Sequence, residues 1–129
     1  MRGYAREVAF SKVYQYLVVG NVEQDFEQFD STKLDDEDVV FVNSLVDSTL
    51  KNKETIDQTI AGLSQNFKLE RICKPDLAVL ELAIAEMTTM DTPKPVVASQ
   101  AVAIAKKYST DKSVSFVNGI LAAFIRNCQ

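Results

Sequence analysis

A chain of 129 residues, 47% hydrophobic and 25% charged, can hold one domain with its own core, and four glycines with three prolines are too few for a loop-rich β architecture. There is no histidine, and Cys73 and Cys128 lie far apart, so a zinc site is not expected and two free thiols in a reducing cytosol are. The net charge of −4 argues against a polyanion partner only as a total: residues 21–40 carry −7, while the first twenty carry +2 and residues 101–129 carry +3.

The N-terminus lacks the apolar core of a signal peptide, and the longest uncharged run, Ser113 to Ile125, falls short of the roughly 20 residues that span a bilayer. Ala5 to Val19 reads as a helix with Ala5, Val8, Ala9, Val13, Tyr16 and Leu17 on one stripe, and Gly20-Asn21 stops it. Tyr14 flanks that stripe, as a core neighbour or an exposed stacking surface. Residues 21–35 form an acidic connection with a helical turn around Phe26 and Phe29. Asp35 caps the next helix, whose first turn holds Asp36, Glu37 and Asp38 as a solvated start at the positive dipole end. Val39, Val42, Val46, Thr49 and Leu50 are its expected buried face. After Asn52-Lys53 a third helix carries Ile56, Ile60 and Leu63, and Phe67, Leu69 and Ile72 belong to a short turn. Pro75 opens a helix with Leu77, Leu80, Ile84 and Met87 toward the core, closed by Met90 to Pro93.

Pro95 opens the next helix, with Val97, Ala101, Ile104, Ala105 and Tyr108 on one face and Lys106 and Lys107 in the last turn. Polar residues 109–113 interrupt the pattern, and Phe116, Val117, Ile120, Leu121, Phe124 and Ile125 resume it. Asn118-Gly119 inside this helix costs roughly 1 kcal/mol against alanine at the glycine. That predicts a close crossing by a second helix with no room for a Cβ, and Asn118 bonded to a backbone group. No stretch alternates with period two, so the fold expected is all-α, a compact bundle of about seven helices.

Catalytic signals are weak. Histidine is absent, no phosphate or nucleotide loop occurs, Cys73 beside Lys74 has no base, and Glu81 and Glu86 sit five apart on different helix faces. No cofactor and no metal are expected.

Four stretches together carry a resemblance: Pro95-Val96-Val97-Ala98, Ala105-Lys106-Lys107-Tyr108, Asp111-Lys112-Ser113 and Phe116-Val117-Asn118-Gly119-Ile120-Leu121. They resemble the end of the NusB family of bacterial transcription antitermination factors. Leu80 to Met87 and Ala5-Arg6-Glu7 with Leu17 look like earlier helices of that family. The resemblance implies one domain over residues 1–129, built as two perpendicular three-helix subdomains, roughly 1–65 and 66–129. It implies a cytoplasmic protein that binds boxA-type single-stranded leader RNA with a small-subunit ribosomal protein, NusE, in the elongation complex. Arg2 and Arg6 are carried over as phosphate contacts, Lys112, Ser113, Phe116 and Asn118 as RNA contacts around the loop, and Asp76 as a partner contact. Phe116 reads equally as a face for an unstacked base or as the first core residue of its helix. The departures are a shortened N-terminal arginine run, no tyrosine before Glu86, and Ser99-Gln100 in place of Asn-Glu. Two other readings stand beside this one: a protein-only interaction module that forms a homodimer, and an RNA-seating domain like those fused to RNA cytosine methyltransferases.

Overall fold

The computed structural model describes residues 2–20, 31–64 and 68–128. Among these residues the structure is entirely helical, with six α-helices: α1 (Arg2–Val19), α2 (Asp36–Lys51), α3 (Lys53–Leu63), α4 (Lys74–Thr89), α5 (Lys94–Tyr108) and α6 (Asp111–Asn127). Short 3₁₀ turns at Ser31–Lys33 and Leu69–Arg71 precede α2 and α4. Residues 21–30 of the connection expected at 21–35, Phe67, and the subdomain boundary at 65/66 lie outside the described residues.

The helix starts follow local chemistry. Asp35 Oδ1 accepts from the Asp38 amide at 2.8 Å to cap α2, and Thr110 Oγ1 accepts from the Ser113 amide at 3.2 Å to cap α6. Pro75 and Pro95 occupy the first turns of α4 and α5, where no intrahelical N–H is needed. Gly20 takes φ +85° just past α1 and donates its amide to the Tyr16 carbonyl at 2.8 Å.

The organising element is α4, which packs against all five other helices. Every residue from Asp76 to Met87 is buried, so it presents no solvent face, where the spacing of its leucines predicts only a core side. In α1 the expected Ala5, Val8, Ala9 and Val13 are buried, while Tyr16 and Leu17 are half-buried.

Three expectations are corrected. On α2 the buried face is Asp38, Phe41, Val42, Leu45, Val46 and Thr49, while Val39 is 39% exposed. The apolar run 39–42 allows two helical phases, and the ion pair of Asp38 with Arg2 is part of the phase that is adopted. Asp38 is therefore no solvated helix start. On α6, Gly119 marks no close crossing: it is exposed, and a Cβ there would meet nothing within 4 Å outside its own helix.

Candidate nucleic-acid interface

Three buried carboxylates mark stations along α4: Asp76 in its first turn, Glu81 in the middle and Glu86 near its end. A rise of about 1.5 Å per residue puts the outer two about 15 Å apart along the axis.

At the C-terminal station Arg6 is buried. Its Nε donates to Glu86 Oε1 at 2.9 Å and its Nη2 to Oε2 at 2.7 Å, a two-pronged pair in which both residues are shielded from water. Arg2 is more open, but its Nε lies 3.3 Å from Asp38 Oδ1 and its guanidinium 4.2 Å above the Phe41 ring. Both arginines marked as phosphate contacts thus hold α1 to α2 and α4 through pairs within the fold.

At the middle station Glu81 is fully buried, with Oε2 3.3 Å from Lys53 Nζ. Neither of its oxygens has a hydrogen-bond partner among the described residues. Lys53 Nζ bonds instead to Asp57 Oδ2 at 2.6 Å. Burial, with neighbouring Asp57 adding to it and Lys53 opposing, pushes the Glu81 carboxyl up to about 8. Burial alone would lower Lys53, but Asp57 and Glu81 outweigh it and raise it. This acid has no solvent access, so its position does not suit acid–base chemistry on a bound substrate.

The N-terminal station is different. Asp76 is 6% exposed, and its two oxygens accept from the Ser109 and Ser113 hydroxyls, each at 2.8 Å. Above this network opens a cleft of about 460 Å³ lined by Arg71, Ile72, Cys73, Asp76, Thr110, Lys112, Ser113 and Phe116. Arg71 and Lys112 are exposed and have no ion pair among the described residues, and Phe116 is half-buried. The fold therefore brings together Lys112, Ser113, Phe116 and Asp76, which the sequence assigned to two different partners. Asn118 is not with them. It lines a separate groove between α5 and α6 with Ala98, Val102 and Ile125.

Sequence reasoning passed over Arg71. The available signal was local: Lys68, Arg71 and Lys74 fall within seven residues against the single acid Glu70. A neighbouring aromatic cluster also emerges from the fold. The Phe10 ring stacks with Tyr14 at 6.1 Å and with Tyr108 at 5.5 Å between centroids. Glu7 ties it down, accepting from the Tyr108 hydroxyl and from Lys107 Nζ at 2.8 Å. Burial and the bond to Glu7 raise the Tyr108 hydroxyl, and Glu7 likewise raises Lys107. Among the described residues no group of three His, Cys, Asp or Glu side chains is placed to hold a metal, and no helix is long and apolar enough to cross a membrane.

These features define an all-helical binding domain with a small cationic cleft over an apolar floor. Residues 4–126 match the model of the NusB family. The chain is 36% identical to the transcription antitermination protein NusB of Clostridium botulinum, over 96% of this chain and 99% of that one. It is 38% identical to that of Acetivibrio thermocellus, over 97% and 88%. Among solved structures it superposes on a crystal structure of antitermination factors NusB and NusE in complex with dsRNA, with TM-score 0.85 and 26% identity over 98% of this chain and 96% of that chain. T. maritima NusB gives 0.85 with 28% identity over 95% and 89%. The chain belongs to the NusB family.

Proposed function

We propose that this protein is a cytoplasmic transcription antitermination factor that holds boxA-type single-stranded RNA, together with the ribosomal protein NusE, as part of the elongation complex. The observation that carries this reading is the cleft at the start of α4 and α6. Two exposed cations, Arg71 and Lys112, stand at its rim for phosphates, and Ile72 and Phe116 supply apolar surface for an unstacked base. The antitermination role follows from family membership and from NusB relatives matched along nearly their whole length. Association with NusE and RNA is transferred from the solved complex that this fold matches.

With Arg6 buried against Glu86 and the exposed Arg2 sharing its charge with Asp38, the cationic footprint of the N-terminus is small, so binding by the protein alone is weak and NusE strengthens it. The test is titration of a boxA-type single strand against the protein, with and without NusE, at several salt concentrations. Phe116→Ala is expected to lose roughly 1–3 kcal/mol of RNA affinity with little change in salt slope. RNA affinity indifferent to salt, to NusE and to Phe116→Ala would shift the reading to a protein-only module, which a concentration-dependent homodimer would support.

A further inference from the structure

We infer that Asp76 is a positioning residue that fastens the α5–α6 turn, and with it Lys112 and Phe116, to the start of α4. The inference rests on the reading that the cleft holds RNA. It replaces a direct partner contact for Asp76, whose carboxylate faces inward at 6% exposure.

The turn is short. Ser109 ends α5 in extended conformation and Thr110 caps α6, so these two residues alone connect the helices. Such a link fixes the distance between the helix ends and leaves the direction of the first turn of α6 to side-chain contacts. Asp76 supplies them from another element. It stands in the first turn of α4, where the helix dipole favours its negative charge. An ionised carboxylate only accepts, and each of its oxygens takes one hydroxyl, from Ser109 on one side of the cap and Ser113 on the other. The two serine oxygens lie 2.8 Å apart, and the Thr110 hydroxyl is 3.1 Å from Ser113 Oγ. The turn is thus clamped before and after its cap. Lys112 lies between the clamped residues, and Phe116 follows Ser113 by three positions, close to one helical turn. Both line the cleft together with Asp76.

The experiment measures boxA-type single-stranded RNA affinity and melting temperature for Asp76→Asn, Ser113→Ala, Ser113→Thr, Lys112→Ala and Phe116→Ala, and for Asp76→Asn combined with Phe116→Ala. Asp76→Asn and Ser113→Ala should each weaken RNA binding about three- to tenfold, the effect of one lost hydrogen bond in the clamp. Ser113→Thr, which keeps a hydroxyl, should bind like the parent. In the Phe116→Ala background the Asp76→Asn effect should shrink to less than about twofold, because two changes acting on one contact do not add. An equal loss from Asp76→Asn with and without Phe116, or RNA binding as in the parent for Asp76→Asn while Phe116→Ala and Lys112→Ala bind poorly, overturns the inference alone. Parent-like RNA binding by Phe116→Ala and Lys112→Ala removes the reading beneath it as well. If Asp76→Asn fails to fold, the Ser113→Ala and Ser113→Thr pair decides: equal loss in both overturns the clamp.

Discussion

The two ends of α4 use charge in opposite ways. At the Glu86 end a guanidinium is brought inside and matched by a carboxylate, so the cation serves the fold. At the Asp76 end the acid is inside, held by neutral hydroxyls, while Arg71 and Lys112 remain in water at a cleft. A buried ion pair repays its desolvation only through its partner, whereas an exposed cation keeps its attraction for a phosphate. The basic N-terminus and the basic C-terminal region therefore look alike in a charge count and differ in what they offer a polyanion.

The sharpest way to break this contrast is Arg6→Ala. It leaves Glu86 buried without its partner and should cost about 3–5 kcal/mol of stability, read from chemical denaturation. This differs from the sequence-based expectation that Arg6 serves as a phosphate contact. If the variant melts as the parent does, the two ends are not distinct. Glu81 sharpens the contrast from between them, as a buried acid with an incomplete set of partners. Its folded pKa of about 8 lies above the unfolded 4.5, so the folded state holds this proton more tightly. The associated stability is complete below about pH 4.5 and is lost as pH rises toward 8, and Glu81→Gln should flatten that decline and raise the melting temperature at alkaline pH. A decline unchanged in Glu81→Gln would place its cause elsewhere.

Smaller effects follow on α6. Gly119→Ala should gain up to about 1 kcal/mol from helix propensity, since open space surrounds the position. Unchanged RNA affinity in that variant would separate the stability of the helix from the action of its first turn. The smallest effect on folding is expected from Lys112→Ala, within about 0.5 kcal/mol by thermal melts. Its RNA binding should still weaken, with the salt slope shallower by about 0.7 for one lost phosphate contact. A Lys112→Ala slope equal to the parent's would remove the cleft from the RNA path.

Helical class, helix order and most buried faces were legible in the residues because periodicity reports local geometry. The cap at Asp35 was legible for the same reason, and residues 109–113 marked the break within which Thr110 caps α6. What was not legible was long-range. Arg6 and Glu86 are 80 positions apart, and nothing local tells an arginine in a basic N-terminus that it will be buried. Asp76 and Ser113, 37 apart, were placed with different partners because only the fold unites them. Gly119 failed differently: the cost of a helical glycine was read correctly, but the reason supplied for it, a close packing contact, is absent from the structure. In α2 the continuous run Val39–Val42 held too little phase information to choose between two faces.

The enclosure of α4 bears on how this protein can come apart. Its backbone amides reach water only when neighbouring helices leave, and those helices lie on every side. Fraying at the end of α6 opens part of the molecule and leaves that axis closed. Hydrogen exchange within α4 would then proceed through global opening, making its slowest amides a measure of the whole free energy of unfolding. The turn before α6 is tied to the first turn of α4 through Asp76. The element that binds the fold into one cooperative unit thus also holds the turn that carries Lys112.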